Sequence, residues 1–131
     1  MMKRLILTLI VVVAAVAGFS AMAADHGKVI ELKEGQALPA AKKGKAVVID
    51  FNASWCGPCR QFKPTFDRAS RSFAKKATFV SVNVDNFPEL AKQYQVMSIP
   101  CIVVVKAGAE PVKQVGAVSY EEFAAFLRAN L

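Results

Sequence analysis

Histidine, tryptophan and cysteine are all scarce in this chain of 131 residues, with one His, one Trp and three Cys. Three thiols are too few for a disulfide-stapled scaffold, and an odd number leaves at least one without an intramolecular partner. Glycine and proline number only 7 and 6, which excludes a collagen-like, linker-dominated or disordered chain. Acidic side chains are outnumbered, 10 against 17 Lys and Arg, for a formal net charge of +7. Apolar surface, by contrast, is plentiful at 54% of residues. That suffices for one compact domain of this length to offset its ordering entropy. The thiols therefore need a purpose other than stapling.

The hydropathy is unevenly spread. Met1-Met2-Lys3-Arg4 is short and basic, Leu5 to Phe19 is almost wholly apolar, and Ser20-Ala21-Met22-Ala23-Ala24 turns to small residues. This is the layout of a secretory signal peptide over residues 1–24, cleaved near Ala23 or Ala24 and followed by one domain over residues 25–131. The alternative is a retained anchor, since Leu5 to Ala24 approaches the roughly 20 apolar residues that span a bilayer. The small-residue end favours cleavage, and contact with a membrane is expected only through an uncleaved segment. Loss of Lys3 and Arg4 leaves a modest basic excess, gathered in Arg60, Lys63, Arg68, Arg71, Lys75 and Lys76. These read as the solvated face of a helix. Without interleaved exposed aromatics they do not suggest a nucleic-acid groove.

Lys28 to Leu32 reads as a short strand, and Gly35 to Lys43 as a brief helical or turn segment interrupted by Pro39. Ala46 to Phe51 is a β-branched run between Gly44 and Asn52, as expected of a central strand buried on both faces. From Pro58 to about Lys76, Phe62, Phe66, Ala69 and Phe73 recur at helical spacing, with Pro64 predicted to kink the helix near its second turn. Thr78 to Val84 alternates, and Val80, Val82 and Val84 are predicted to face inward. A short helix from Pro88 to Tyr94, a strand from Cys101 to Lys106, a turn and a returning strand from Val112 to Val115 follow. Ser119 is a good N-cap for a last helix presenting Phe123, Phe126 and Leu127. Strands alternating with helices, then an antiparallel hairpin, describe a small α/β layer fold with a mixed sheet.

Cys56 and Cys59 stand at the join between the central strand and the first long helix. The unpaired amides and the positive dipole end of that helix favour thiolate at Cys56, making it the attacking sulfur near neutral pH. Arg60 and Lys63 add cationic field. Cys59, one turn into the helix, is predicted to be less exposed and to act as the resolving thiol that releases a mixed disulfide. Pro58 suits the first turn, where its missing N–H is not needed. A structural role for so small a ring is weak, because it contributes little loop-closure stabilisation. A zinc site would have only Cys101 and His26 as further ligands, and a c-type haem site would need His where Arg60 stands. Asp50 lies in an apolar strand six residues before Cys56, where burial should raise its pKa. Trp55 is expected to shield the sulfurs.

The chain resembles the thioredoxin family in Val48-Ile-Asp-Phe-Asn-Ala-Ser-Trp-Cys-Gly-Pro-Cys59, Pro64, Val82-Asn-Val-Asp85, Ser98-Ile-Pro100, Val115-Gly116 and Phe126-Leu-Arg-Ala-Asn-Leu131. The resemblance implies a thioredoxin fold, a central mixed sheet flanked by helices. It implies Cys56 as nucleophile, Cys59 as resolving thiol, Asp50 as the carboxyl that takes and returns the proton of Cys59, and Ile99-Pro100 as a cis peptide beside the disulfide. Trp55, Gly57, Pro58, Ile99, Pro100 and Cys101 would border the docked substrate. Cys101 follows Pro100 where the family usually has Thr, so it reads either as a small buried hydrophobe or as a third redox-active thiol. Asn52 replaces a common Trp, Ser81 stands where a Lys usually neighbours the buried acid, and Met97-Ser98 replaces the usual Arg-Gly.

The expected activity is thiol–disulfide exchange on disulfide-containing proteins, with no metal and no cofactor, carried out by a monomer. Behind a signal peptide the site would work in a bacterial periplasm, and Gly-Pro between the thiols resembles reducing members. Electrons would then come from a thiol-transferring membrane protein. An oxidant, an isomerase, or a binding module that performs no turnover is the alternative.

Overall fold

The computed structural model describes residues 27–131. The signal-peptide reading of residues 1–24 lies outside the described residues. Five strands and three helices follow in the order β1 (Ile30–Glu31), β2 (Ala46–Asn52), α1 (Gly57–Ser72), β3 (Ala77–Asn83), α2 (Pro88–Gln93), β4 (Cys101–Val105), β5 (Val112–Val115) and α3 (Tyr120–Asn130). The sheet order is β1-β3-β2-β4-β5, so the β-branched run of β2 is the central strand. β1 and β2 both pair with β3 in parallel, whereas β4 runs antiparallel to β2 and to β5.

The alternation of β2 sorts the core into two layers. Val48 packs with Phe62, Phe66 and Ala69 of α1 and Phe123 and Leu127 of α3. Val47, Ile49 and Phe51 point the other way, under Leu90, Ala91 and Tyr94 on and beside α2. In the first layer Phe62 meets Phe123 edge-on at 5.1 Å between ring centroids, and Phe66 meets Phe79 at 5.3 Å. Each such fully buried ring contributes roughly 1.5–3 kcal/mol by leaving water. Asp50 and Asn52 belong to the α1 side of the sheet by the same alternation, which places a carboxyl beneath the start of that helix.

Three sequence expectations need correction. β3 is buried on both faces, with Phe79 2% and Ser81 9% exposed, because it lies between β1 and β2 and has packed layers above and below. The segment from Gly35 to Lys43 forms no helix: it turns at Glu34-Gly35 and then runs irregularly, laying Leu38 and Ala41 on the α2 side of the core. Helix α1 stops at Ser72, with Phe73 as its C-cap, since the chain must turn back to begin β3 at Ala77. The helix runs on through Pro64, an exposed position. Gly44, at φ +78°, allows the tight turn in which Lys42 and Lys45 exchange N–H to carbonyl bonds of 2.9 Å. Ser119 caps α3 reciprocally with Glu122, each accepting from the other's backbone N–H.

Candidate active site

Central strand β2 ends at Asn52, and four residues later Cys56 occupies the N-cap of α1 in an extended conformation, φ −87° and ψ 108°. Its sulfur accepts the Cys59 N–H at 3.2 Å, the place a Ser or Asp oxygen takes at an ordinary N-cap. No acid stands in the first turn, so nothing local offsets the positive end of the helix. Pro58 lies in that first turn. Cys56 and Cys59 are joined as a disulfide. The two residues are equally sheltered at 5% exposure, which corrects the expectation that Cys59 would be the less exposed of the two. Ala53, Val84 and Ile99 pack around the pair. Ile99-Pro100 is a cis peptide, and its Ile99 carbonyl oxygen lies 3.9 Å from Cys56 Sγ. Gly57 has room for a Cβ, whose nearest neighbour would be the Arg60 guanidinium at 3.9 Å, so space does not demand glycine there.

Asp50 is 4% exposed, and its Oδ1 has no hydrogen-bond partner among the described residues. It shares a cavity of about 180 Å³ with Cys59, Ser81, Glu31 and Lys63, room enough for water to link carboxyl and sulfur. Burial pushes its pKa from 3.8 up to about 7, and the negative charge of Glu31 adds to the rise; Asn52 and Lys63 oppose it and Asp67 reinforces it. Two departures from the family pattern meet here. The Asn52 amide donates to Ser81 Oγ at 2.8 Å and to the Asp50 backbone carbonyl at 3.0 Å. The cation of the site comes instead from α1, where Lys63 Nζ lies 3.4 Å from Glu31. Because Glu31 holds the proton on Asp50 through its charge, Glu31→Gln is expected to lower the Asp50 pKa towards the ordinary carboxylate range. Titration of the Asp50 carboxyl carbon by NMR checks this, and an unmoved midpoint would show that burial alone sets it.

Trp55 corrects another expectation. Its ring is 67% exposed and leaves the cover of the sulfurs to Ala53, Val84 and Ile99. The indole N–H donates to Asp85 Oδ2 at 2.9 Å, while the Asn83 side chain accepts the Asp85 N–H at 2.9 Å. Asp85 is thus the site residue that sequence reasoning left without a role, although it stood within a quoted motif. Met97, two residues before Ile99, is 93% exposed and extends the apolar rim. Cys101 sits at the start of β4, 1% exposed, with its side chain in the α2-side core. Burial pushes its thiol pKa up, against the opposing charge of Lys113. This corrects its assignment to the substrate border, for the thiol is inside the sheet. Mild peroxide followed by peptide mapping is expected to leave Cys101 unmodified while Cys56 and Cys59 of the reduced protein react. Oxidation of Cys101 at a comparable rate would contradict that.

Among the described residues no group of three or more His, Cys, Asp or Glu is placed to hold a metal ion. The sequence model of the family described as Thioredoxin matches residues 33–129. The chain belongs to the thioredoxin family. It is 43% identical over 101 residues to a thioredoxin H-type of Oryza sativa subsp. indica, covering 73% of this chain and 82% of that protein. A thioredoxin of Mycoplasma genitalium is 41% identical over 85 residues, 65% of this chain and 80% of its own. Among solved structures, the germline-specific thioredoxin Deadhead of Drosophila melanogaster superposes with a TM-score of 0.62 at 30% identity, over 67% of this chain and 83% of that one. The thioredoxin dithiol at the head of α1 makes the chain a thiol–disulfide oxidoreductase that acts on protein disulfides.

Proposed function

We propose that the protein is an exported disulfide reductase of a bacterial periplasm, working as a monomer and recharged by a thiol-transferring membrane protein. The observation that carries this reading is a Cys56-Gly57-Pro58-Cys59 dithiol behind a leader that runs from basic to apolar to small residues over Met1 to Ala24. Outside the cytosol thiols are driven towards disulfides, so a reductant there needs electrons passed through the membrane. Gly-Pro between the sulfurs favours the reducing direction, and the Mycoplasma genitalium relative bears the plain name thioredoxin.

In the reducing direction the Cys56 thiolate attacks one sulfur of a substrate disulfide and expels the other as a thiolate, which takes a proton from solvent. Cys59 then loses its proton to the Asp50 carboxylate, attacks Cys56 Sγ and releases the reduced substrate. Two electrons leave the protein and its disulfide remains. Equilibration with glutathione decides direction. A potential near the roughly −270 mV typical of thioredoxins supports a reductase, and one near about −120 mV makes the protein an oxidant. N-terminal sequencing of protein recovered from the cell envelope tests export, with Ala24 or Asp25 expected as the first residue.

A further inference from the structure

The end of the domain opposite the disulfide carries a second feature. β2 and β3 both begin there, at Ala46 and Ala77, and α3 ends there. At about 3.3 Å per residue, β2 alone sets that end roughly 20 Å from the loop bearing Cys56. Two adjoining hollows share Lys76. One, of about 450 Å³, is also lined by Lys42, Lys43, Lys45 and Lys106; the other, of about 690 Å³, by Arg71, Lys75 and Arg128. No Asp or Glu lines either. All of these cations are exposed except half-buried Lys45, which donates to the Ala74 carbonyl at 2.8 Å. Four separate stretches of chain therefore bring like charges to one surface at a cost in repulsion, and among the described residues no Asp or Glu side chain lies within ion-pair distance of them.

We propose that this pole is a docking surface for an anionic phospholipid bilayer. The described chain enters the domain against it: the Gly27 carbonyl accepts from Ser70 Oγ at 3.1 Å, and a Cβ on Gly27 would meet Arg71 Cα at 3.2 Å. The apolar run Leu5 to Phe19 ends only eight positions earlier, at most about 29 Å of extended chain. A run of that character is drawn into a bilayer, in transit or as an anchor, and the Arg71 side of the domain is then the first to meet headgroups. Phosphodiester charges supply what the pole lacks, and each Lys or Arg close to such a leaflet adds salt-sensitive affinity. A nucleic acid fits less well, because Phe73, the one aromatic lining either hollow, is half-buried and offers no stacking platform.

The test uses protein recovered, in whichever processed form it takes, from cells expressing the full chain. Flotation with phosphatidylcholine vesicles, with or without phosphatidylglycerol, is carried out at low and high salt. Binding to the anionic vesicles is expected to exceed that to neutral ones and to fall with salt. It should weaken roughly tenfold in Lys43→Gln/Lys76→Gln but hold in Lys33→Gln/Lys92→Gln, which removes equal charge elsewhere. Retained disulfide exchange shows that both variants are folded. Equal binding to the two vesicle types by protein that has lost its apolar segment, equal loss in the two variants, or tighter binding to duplex DNA would overturn the proposal. Should the recovered protein keep its apolar segment and enter both vesicles alike, an amine-reactive reagent decides. Protection of Lys43 and Lys76 on anionic vesicles alone supports the docking surface, and equal modification on both ends it.

Discussion

Cys56→Ser is expected to abolish disulfide exchange, by a thousandfold or more, while Cys59→Ser still attacks substrate and stops there. The asymmetry follows from the N-cap. Only Cys56 receives the amide of the first turn on its sulfur, at 3.2 Å from Cys59 N, and only there does the helix dipole favour thiolate. A Ser hydroxyl at the same place is a far weaker nucleophile, so the first covalent step is lost. In Cys59→Ser that step survives, and with no second sulfur to displace the substrate a mixed disulfide through Cys56 accumulates. Mass spectrometry after quenching reads it directly. Neither change should unfold the domain, because so short a ring adds little loop-closure stabilisation. Roles are reversed if the covalent adduct appears on Cys59 in Cys56→Ser.

The parts of this molecule that were legible from sequence are those in which neighbouring residues decide the outcome. The β-branched run of Ala46 to Phe51 marks the central strand, the spacing of Phe62, Phe66 and Ala69 marks the buried side of α1, and Ser119 with Glu122 marks a capped helix start. Each is a local pattern acting through period or propensity. The dithiol belongs with them, since a strand, a short loop and a Pro in the first helical turn are all that present Cys56 at the N-cap.

What escaped reading depends on residues far apart in the chain. Whether Phe79 and Ser81 face solvent depends on β1 lying outside β3 and on α1 lying above it, and alternation alone cannot say so. Trp55 and Asp85 are thirty positions apart, Asn52 and Ser81 twenty-nine, and both pairs form only once β3 is in register beside β2. That register, with Asp50 beside Ser81 and Asn52 beside Asn83, is also what explains two odd substitutions as one contact. The sequence alone shows a missing Lys and a missing Trp; the fold shows an amide and a hydroxyl bonded to each other next to the acid. The same holds for Cys101, which sits next to a site residue in the chain but points to the opposite layer of the sheet.

Asp50→Asn is expected to stabilise the oxidised protein by up to about 4 kcal/mol at alkaline pH and by little in acid, while slowing substrate release on the order of a hundredfold. In the fold the carboxyl titrates near 7, against its ordinary 3.8. Between those values the native state holds a proton that the unfolded chain has lost, so wild-type stability falls as pH rises from about 4 to about 7 and is level on either side. Above that window the wild type carries an unpaired buried charge, and the neutral amide of Asn removes the penalty, which a pKa rise of this size sets at about 4 kcal/mol. Denaturant unfolding at pH values below, within and above the window measures the gain, and a pH-independent gain would mean that the carboxyl titrates alike in the folded and the unfolded protein. The catalytic loss has the same origin. Only ionised Asp50 can accept the proton of Cys59, so wild-type release should rise through pH 7 and the variant should lose both that inflection and the contribution of a positioned base. A variant that is more stable yet releases substrate at the wild-type rate would leave the buried acid as a cost to the fold with no part in the exchange.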